Sequence, residues 1–541
     1  MNKPQLLRLL QTARHLRPIQ IANRFQRRFR SATPSKSPPP PQRKRSGNWT
    51  LAAQRNPTLL APNKIKVFES EIEVTSNSWD DPELEHLVRY NLHYFDDLNA
   101  VNAENRSNWQ QALLTRWISE NPPAEGTGWE PYPLSIRIVN WIKWSLAGNE
   151  LSTAASKSLA LQTRSLEKQI ELHLMGNHVW ANAKALIFAG LFFSGPEADR
   201  WLSHGRSLLE REMQEQILPD GGHFELSPMY HCILLEDLID LANLSHVYGQ
   251  KSVKGLEQTI QSMGRWLRVM CHPDGEISFF NDASFGIALK PSQIEDYACR
   301  VGFSAFPPCR GSVTHLADTG YVRIQFPNHA MLIDVAAAGA SYQPGHSHAD
   351  TLSFEWSLLG QRVLVNSGTS CYGVSAERLR QRGTAAHNTV IVDQTNSSHV
   401  WSGFRLASRA KPFGLTIDES NDHVSISCSH NGYRRLPTRV THTRKWEIGP
   451  TEFSISDEVG PRFQQAQSRL HFHPDWSVFK VNSTVFAESQ VIPEKLEITT
   501  KAEKRLLPGS YHPQFEQSLP NSVLECDLEP DVASKIRIGW S

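Results

Sequence analysis

Apolar residues recur at spacings of three and four between about residues 68 and 310, and in short alternating or β-branched runs from about residue 311 onward. In the first region, LSIRIVNWIKWSLAG (134–148), HVWANAKALIFAGLFFSG (178–195) and LLEDLIDLANLSHVYG (234–249) each carry the period of an α-helix. Breaks at Asn121-Pro122-Pro123 and Asp220-Gly221-Gly222 separate them, which predicts consecutive helical hairpins and hence a helical toroid or bundle. In the second region, YVRIQF, AMLIDVA, TLSFEWSL, QRVLVNS, NTVIVD, HVSISCS and TEFSISDEV predict strands of an antiparallel β-sandwich. Helices first and strands later imply an α+β chain with segregated domains, 68–310 and 311–541. A groove between two such domains suits a long ligand.

Residues 1–67 follow neither pattern. Residues 31–62 are rich in Pro, Ser, Lys and Arg, with Pro38 to Pro41 consecutive, so an extended polyproline linker is expected there. Charge separates this arm from the body. Of the 56 basic residues, 15 lie in residues 1–68, which contain no Asp or Glu; the remainder carries 41 basic against 55 acidic residues. Arg24, Arg27, Arg28 and Arg30 suit an anionic surface, either a membrane or an acidic partner. The acidic body gives no reason to expect nucleic acid as a partner.

Arginines interrupt the N-terminal apolar residues too often for a secretory core, and no run of 18 apolar residues occurs. Seven cysteines without CxxC spacing point to reduced thiols and away from a disulfide framework or a thiolate zinc site.

Three segments concentrate polar chemistry. The first is Gly176-Asn177-His178, where Asn177 is placed to cap a helix. The second runs from Asp220 to His231 and carries His223, Glu225, Tyr230 and His231 on a Gly-containing loop leading into a helix; it is either a cap or a site. The third is Gly345-His346-Ser347-His348-Ala349-Asp350, ahead of the alternating run TLSFEWSL, the period of a half-buried strand. If the strand reaches back over this motif, His346, His348 and Asp350 share one face, a cluster able to move protons or hold a metal. His348, Asn366 and His387 come from successive β segments and can converge on a zinc ion, although the neutral Asn366 amide is a weaker ligand than a carboxylate.

Seven stretches, in order, resemble the heparinase II/III family of polysaccharide lyases: GWEPYPLSIRIVNW (128–141), GNHVWANAKALIFAGLFF (176–193), DGGHFELSPMYH (220–231), FNDASFG (280–286), GHSHADTLSF (345–354), VNSGT (365–369) and AAHNTV (385–390). With its basic arm, the chain is most similar to the heparinase-like proteins that accompany bacterial exopolysaccharide synthesis. The resemblance implies an α/α toroid followed by a β-sandwich, and β-elimination on an anionic, uronate-containing polysaccharide, giving 4,5-unsaturated products.

It further implies that Asn177 binds the uronate carboxylate and that His178 neutralises charge or acts as base for one sugar epimer. Tyr230 would protonate the leaving oxygen, and His346 would polarise Tyr230 or the carboxylate. Arg137, Asn140, His223, Glu225 and Trp129 are expected at the substrate. Tyr132 and Trp141 join Trp129 as rings able to stack on sugars. In family members with a structural zinc, His348, Asn366 and His387 match its ligands, with Asp in the middle position; Asp350 is the residue able to compensate here. The resemblance favours the cell envelope or periplasm, whereas the absence of a recognisable export signal fits the cytoplasm. Two other functions remain open: a glycoside hydrolase using Glu225 with Asp220 or Asp282, and a non-catalytic polysaccharide-binding or assembly protein.

Overall fold

The computed structural model describes residues 3–29, 31–420 and 422–541, so Arg30 of the basic arm lies outside the described residues. The chain forms an α/α toroid followed by antiparallel sheets, as the two periodicities predict.

The helical half is built around Pro131–Leu146, Asn177–Phe192, Pro196–Gln216 and Pro228–Val247. Asn177–Phe192 is apolar nearly all round, which suits a helix enclosed on several sides. It packs against the other three. Close approach to Pro196–Gln216 depends on glycine: a β-carbon on Gly190 would lie 2.5 Å from the Leu202 nitrogen. Trp117, Trp141, Trp180 and Trp201 fill the space between helices and are fully buried. Each such ring removes enough apolar surface from water to stabilise the fold by ~1.5–3 kcal/mol.

The Pro-rich segment adopts no helix or long strand, but it is bound to the helical half and does not stand free as a linker. Arg164 donates to the carbonyls of Ser35, Ser37 and Pro38. Arg43 reaches the carbonyls of Gly190, Leu191 and Phe193, and Arg45 those of Ser145 and Leu146. These are the last carbonyls of two helices, where unpaired acceptors and the helix dipole favour a cation. Composition alone marks this stretch as a linker because proline exposes its carbonyls; here those carbonyls and the neighbouring arginines are the means of attachment. Ordered structure also begins before residue 68, with strands Leu59–Ala61 and Lys64–Val67.

Ahead of this strap, helices Lys3–Ala13 and Pro18–Gln26 touch both halves. Arg17 pairs with Glu215 at 2.5 Å and lies 3.9 Å from the centre of the Tyr342 ring. The Trp401 indole donates to Thr12, and Gln20 donates to the Leu174 carbonyl.

In the second half, five strands, Val313–Leu316, Tyr321–Gln325, His329–Asp334, Phe354–Leu358 and Gln361–Leu364, pair in chain order. An eight-stranded sheet packs across them, and Phe354, Trp356, Trp446, Phe453 and Ile538 share the core between. Phe354–Leu358 is buried at every position, not at alternate ones. Its polar face meets the helical half: His272 lies 2.8 Å from Glu355 and 2.7 Å from Ser357. Alternation correctly located the strand but not its second covered face. All seven cysteines are free thiols.

Candidate active site

A cleft of about 1340 Å³ runs between the halves, and Asn177, His178, Tyr132, Tyr230, His346 and Tyr372 line it. Asn177 is not the cap of its helix but its first residue; Gly176 is the cap, with φ 58° and ψ −145°. A β-carbon on Gly176 would lie 2.7 Å from a Glu225 carboxyl oxygen, so glycine both permits the turn and brings Glu225 behind Asn177. The Asn177 carbonyl oxygen of the side chain is buried with no partner in the protein. One residue on, the His178 ring packs on Tyr132 with centroids 4.9 Å apart, and its Nδ1 lies 3.2 Å from Glu171. Burial opposes a charge on His178, but Glu171 and Glu225 outweigh it and raise its pKa.

Tyr230 occupies the first turn of Pro228–Val247, where the Ser227 side chain accepts a bond from its amide at 3.2 Å. Its ring lies 4.0 Å from that of His346, and its hydroxyl is 3.0 Å from the hydroxyl of Tyr372. Burial, followed by the adjacent Tyr372, pushes the Tyr230 phenol well above its usual pKa. It is therefore a proton donor in the free protein.

Asp282 organises the remainder. Its carboxylate takes two bonds from Arg378, one from His346 Nδ1 at 2.8 Å, one from His348 Nε2 at 2.8 Å and one from Thr369 at 3.3 Å. Burial disfavours its charge, yet Arg378 and the two imidazoles hold it well below the usual carboxylate range. An ionised acceptor on both rings selects the tautomers. The second nitrogen of His346, Nε2, lies 3.6 Å from Glu225, and that of His348, Nδ1, lies on the side away from Asp282.

This separation of the two histidines does not come from a strand. Residues 345–350 form turns and irregular backbone, and the strand begins only at Phe354. Because the backbone is irregular, neighbours two apart need not share a face, and His346 and His348 approach opposite oxygens of one carboxylate.

On the far side of His348, ligand atoms of His348, Asp350 and His387 lie within 4.8 Å of one another. All three residues are buried, and His348 Nδ1 and both His387 nitrogens have no partner in the protein. Burial lowers the His348 pKa to about 4 and raises that of Asp350 to about 6. Two imidazole lone pairs and a carboxylate, with Asp282 orienting one ring from behind, fit a divalent metal. The carboxylate in this set is Asp350. Asn366 has a side-chain nitrogen without a partner and an oxygen 3.4 Å from the Asn388 amide.

Five expected substrate contacts are supports or wall residues. Arg137 is fully buried, donates to Gln162 and to the carbonyls of His93 and Gly128, and lies over Trp117. Trp129 is buried, stacks on Trp117 and donates to the Asn121 carbonyl. His223 is buried against Gln216 at 3.0 Å. Glu225 sits behind the site, 3.6 Å from His346 Nε2, and burial raises its pKa. Asn140 reaches the cleft wall but spends its amide on the Tyr94 carbonyl and Asp96. Each lies on a polar or aromatic position of an otherwise apolar helix or loop, a pattern that buried supports and ligand contacts share. Of the two stacking candidates, Trp141 is fully buried and Tyr132 lines the cleft.

Two neighbours of these cleft residues, Arg378 and Tyr372, escaped the sequence, and a third, Asp282, did so in part. Arg378 lies 96 residues from Asp282 and carries no local motif. Tyr372 stands in a short loop with nothing to mark it. Asp282 was visible within FNDASFG, but only as a hydrolytic carboxylate.

Residues 59–299 match the family model for the heparinase II/III N-terminus, and residues 310–541 that for the heparinase II/III-like C-terminal region. The chain is similar to the heparin-sulfate lyase of Bacteroides stercoris, 26% identical over 276 residues that make up 46% of this chain and 40% of that protein. The match therefore spans less than half of that lyase. A wider match, 23% identical over 484 residues, covers 82% of this chain and 80% of the FtsZ-localized protein C of Caulobacter vibrioides. A crystal structure of heparinase III superimposes with a TM-score of 0.68 at 16% identity, covering 87% of this chain and 79% of that one, which shows the shared fold. With both family models matched in order over nearly the whole body, the chain belongs to the heparinase II/III family.

Proposed function

We propose that the chain is a polysaccharide lyase that cleaves a uronate-containing polymer by β-elimination. The observation that carries this is the convergence of Tyr230, His346, Asn177 and His178 on one cleft between the two halves. Elimination requires neutralisation of the sugar carboxylate, a base for the proton on its α-carbon and an acid for the departing oxygen.

Asn177 and the positively charged His178 bind the carboxylate as electron density moves onto it. His346 Nε2 takes the proton, its Nδ1–H held by Asp282 and the nascent imidazolium stabilised by Asp282 and Glu225. The C4–O4 bond breaks as the C4–C5 double bond forms, and Tyr230 gives its phenolic proton to O4. Tyr372, 3.0 Å from that phenol, is placed to donate to the resulting phenolate.

Hydrolysis finds less support. Asp282 is committed to Arg378, Glu225 lies behind the site, and Asp220 accepts from the backbone of Gly222, Asp318 and Thr319. None of the three lines the cleft.

Incubation with a panel of uronate polymers, followed by ultraviolet absorbance of the unsaturated product, tests the reaction. Tyr230→Phe should abolish turnover while oligosaccharide binding persists; a fully active variant would remove Tyr230 from the mechanism. New reducing ends without the chromophore would indicate hydrolysis, and binding without cleavage an assembly role.

We propose in addition that His348, Asp350 and His387 hold a structural zinc ion, which would tie the irregular segment at 345–350 to the loop at 384–389. Metal analysis of protein purified without added metal should find about one equivalent, lost in His387→Ala; wild-type protein free of metal would refute this.

A further inference from the structure

Five lysines and arginines line the cleft, and each already faces a carboxylate. Arg55 donates two bonds to Glu236, at 3.0 and 2.7 Å. Lys143 lies 3.0 Å from Asp240, and Lys184 lies 2.6 Å from Asp237 and 2.7 Å from Asp240. At the rim, Lys66 is 3.4 Å from Glu69 and Lys290 is 2.8 Å from Glu276. Seven Asp and Glu residues line the same surface, and one of them, Asp97, is paired with Arg106, which lies outside the lining. Among the described residues, then, every lysine and arginine of the cleft has a carboxylate partner, the Lys66 and Lys290 pairs being exposed at the rim, and acids outnumber these cations there.

That balance bears on substrate. A sulfate ester is ionised at every working pH, so a sulfated chain brings several fixed negative charges per repeat. Such charges need unpaired cations along the groove; a groove of internally neutralised ion pairs with surplus carboxylates repels them. A single uronate is a different demand, met at one point by Asn177 and His178. The wall also offers Ile233, Phe285, Ile287, Phe404 and Phe515, which suit the apolar faces of neutral sugars.

We propose that the cleft selects an unsulfated polysaccharide with one carboxylate per repeat and neutral sugars between, and that it excludes sulfated chains. This rests on the lyase reading for the position of the carboxylate, whereas the exclusion rests on the paired cations alone.

The test uses a panel of unsulfated uronate polymers, each compared with its own chemically sulfated form. Turnover of each pair is measured on the wild type, and dissociation constants of oligosaccharides on Tyr230→Phe protein at low and moderate salt. The unsulfated member should be favoured by about ten-fold or more. The exposed-rim variant Glu69→Gln/Glu276→Gln, which frees Lys66 and Lys290, should bind sulfated oligosaccharides several-fold tighter at low salt while leaving unsulfated ones little changed. Tighter binding of sulfated forms to the Tyr230→Phe protein, falling steeply with salt, would overturn the proposal while leaving the lyase reading intact. Binding of unsulfated chains without any unsaturated product would overturn the lyase reading and uphold the selectivity. Failure of every polymer to bind in either form would overturn both.

Discussion

Asp282→Asn preserves side-chain volume and removes one charge, so its effect isolates the electrostatic role of this residue. The carboxylate accepts from Arg378, His346, His348 and Thr369 and is completely buried. An amide in its place offers one acceptor oxygen and turns an N–H₂ toward groups that are themselves donors. Arg378, also fully buried, is left without its counter-ion. Removing one partner of a buried pair costs ~3–5 kcal/mol, against a net stability of ~5–15 kcal/mol for a typical domain. His346 also loses the acceptor that fixes its ring, and misplacing a reacting group by about an ångström lowers turnover on the order of a hundred-fold. The variant should therefore melt earlier, followed by tryptophan fluorescence, and lose turnover by at least that factor. Adding Arg378→Gln removes the stranded cation and should recover part of the stability. It should not recover turnover, because it returns no acceptor to His346. A single variant with wild-type melting and turnover, or a double variant that regains activity, would refute the assignment of Asp282 as the support of His346.

Gly176→Ala tests the turn before Asn177. Its φ of 58° with ψ −145° is a region nearly restricted to glycine, costing ~1–3 kcal/mol for other residues, and the new methyl meets Glu225 at 2.7 Å. Because Asn177 follows directly, kcat/KM should fall by more than the melting shift accounts for; an equal fall in both would make the turn merely structural. His178 supplies a pH test. Its pKa is raised, so its positive charge persists above the ordinary value near about 6.5 and is lost as pH rises through the raised value. Uronate oligosaccharides should bind Tyr230→Phe protein tightly below that pH and more weakly above it, and His178→Gln should flatten the profile. An unchanged profile in His178→Gln would remove His178 from carboxylate binding.

The toroid and the sandwich were legible because both rest on periodic burial, whereas Asn177, Tyr230 and His346 were singled out through the stretches that resemble the family, since local pattern alone left a cap and a site equally open. The structure places all three in the cleft. What failed was anything set by distant partners. Arg137 reads as a cation available to substrate until Gln162 and two carbonyls are seen to enclose it. Glu225 stands in a loop rich in site residues, yet a positive φ at Leu226, 60°, and the packing of Gly176 place it behind them. The alternating strand does not reach back over His346; it begins at Phe354, where cross-strand pairing with Ile333 begins. Nothing in an alternating sequence specifies where a partner strand ends. The polyproline strap was misjudged for a related reason: its attachment uses backbone carbonyls, which every sequence possesses, and arginines elsewhere that seek them.

The distance between Tyr230 and His346 is set by one residue that belongs to neither of their elements. The Asp282 amide donates to the His346 carbonyl at 3.0 Å, and its own carbonyl accepts the hydroxyl of Ser227 at 2.5 Å. Ser227 is the cap of the helix that carries Tyr230, so Tyr230 and His346 are joined through the Asp282 main chain. Its carboxylate fixes the His346 ring and Arg378, which lies 4.9 Å from the centre of the Tyr372 ring. The helical half thus delivers Tyr230, the sandwich half delivers His346 and Tyr372, and docking of the halves completes the site. The arm adds a second tie across the same boundary, with Arg17 joined to Glu215 on one side and Tyr342 on the other. In this arrangement a perturbation that separates the halves parts Tyr230 from His346, whereas one confined to the cleft wall should alter binding alone. That difference gives an experimental criterion for assigning any new variant to the support or to the cleft: supports should change melting and turnover together, wall residues affinity without melting.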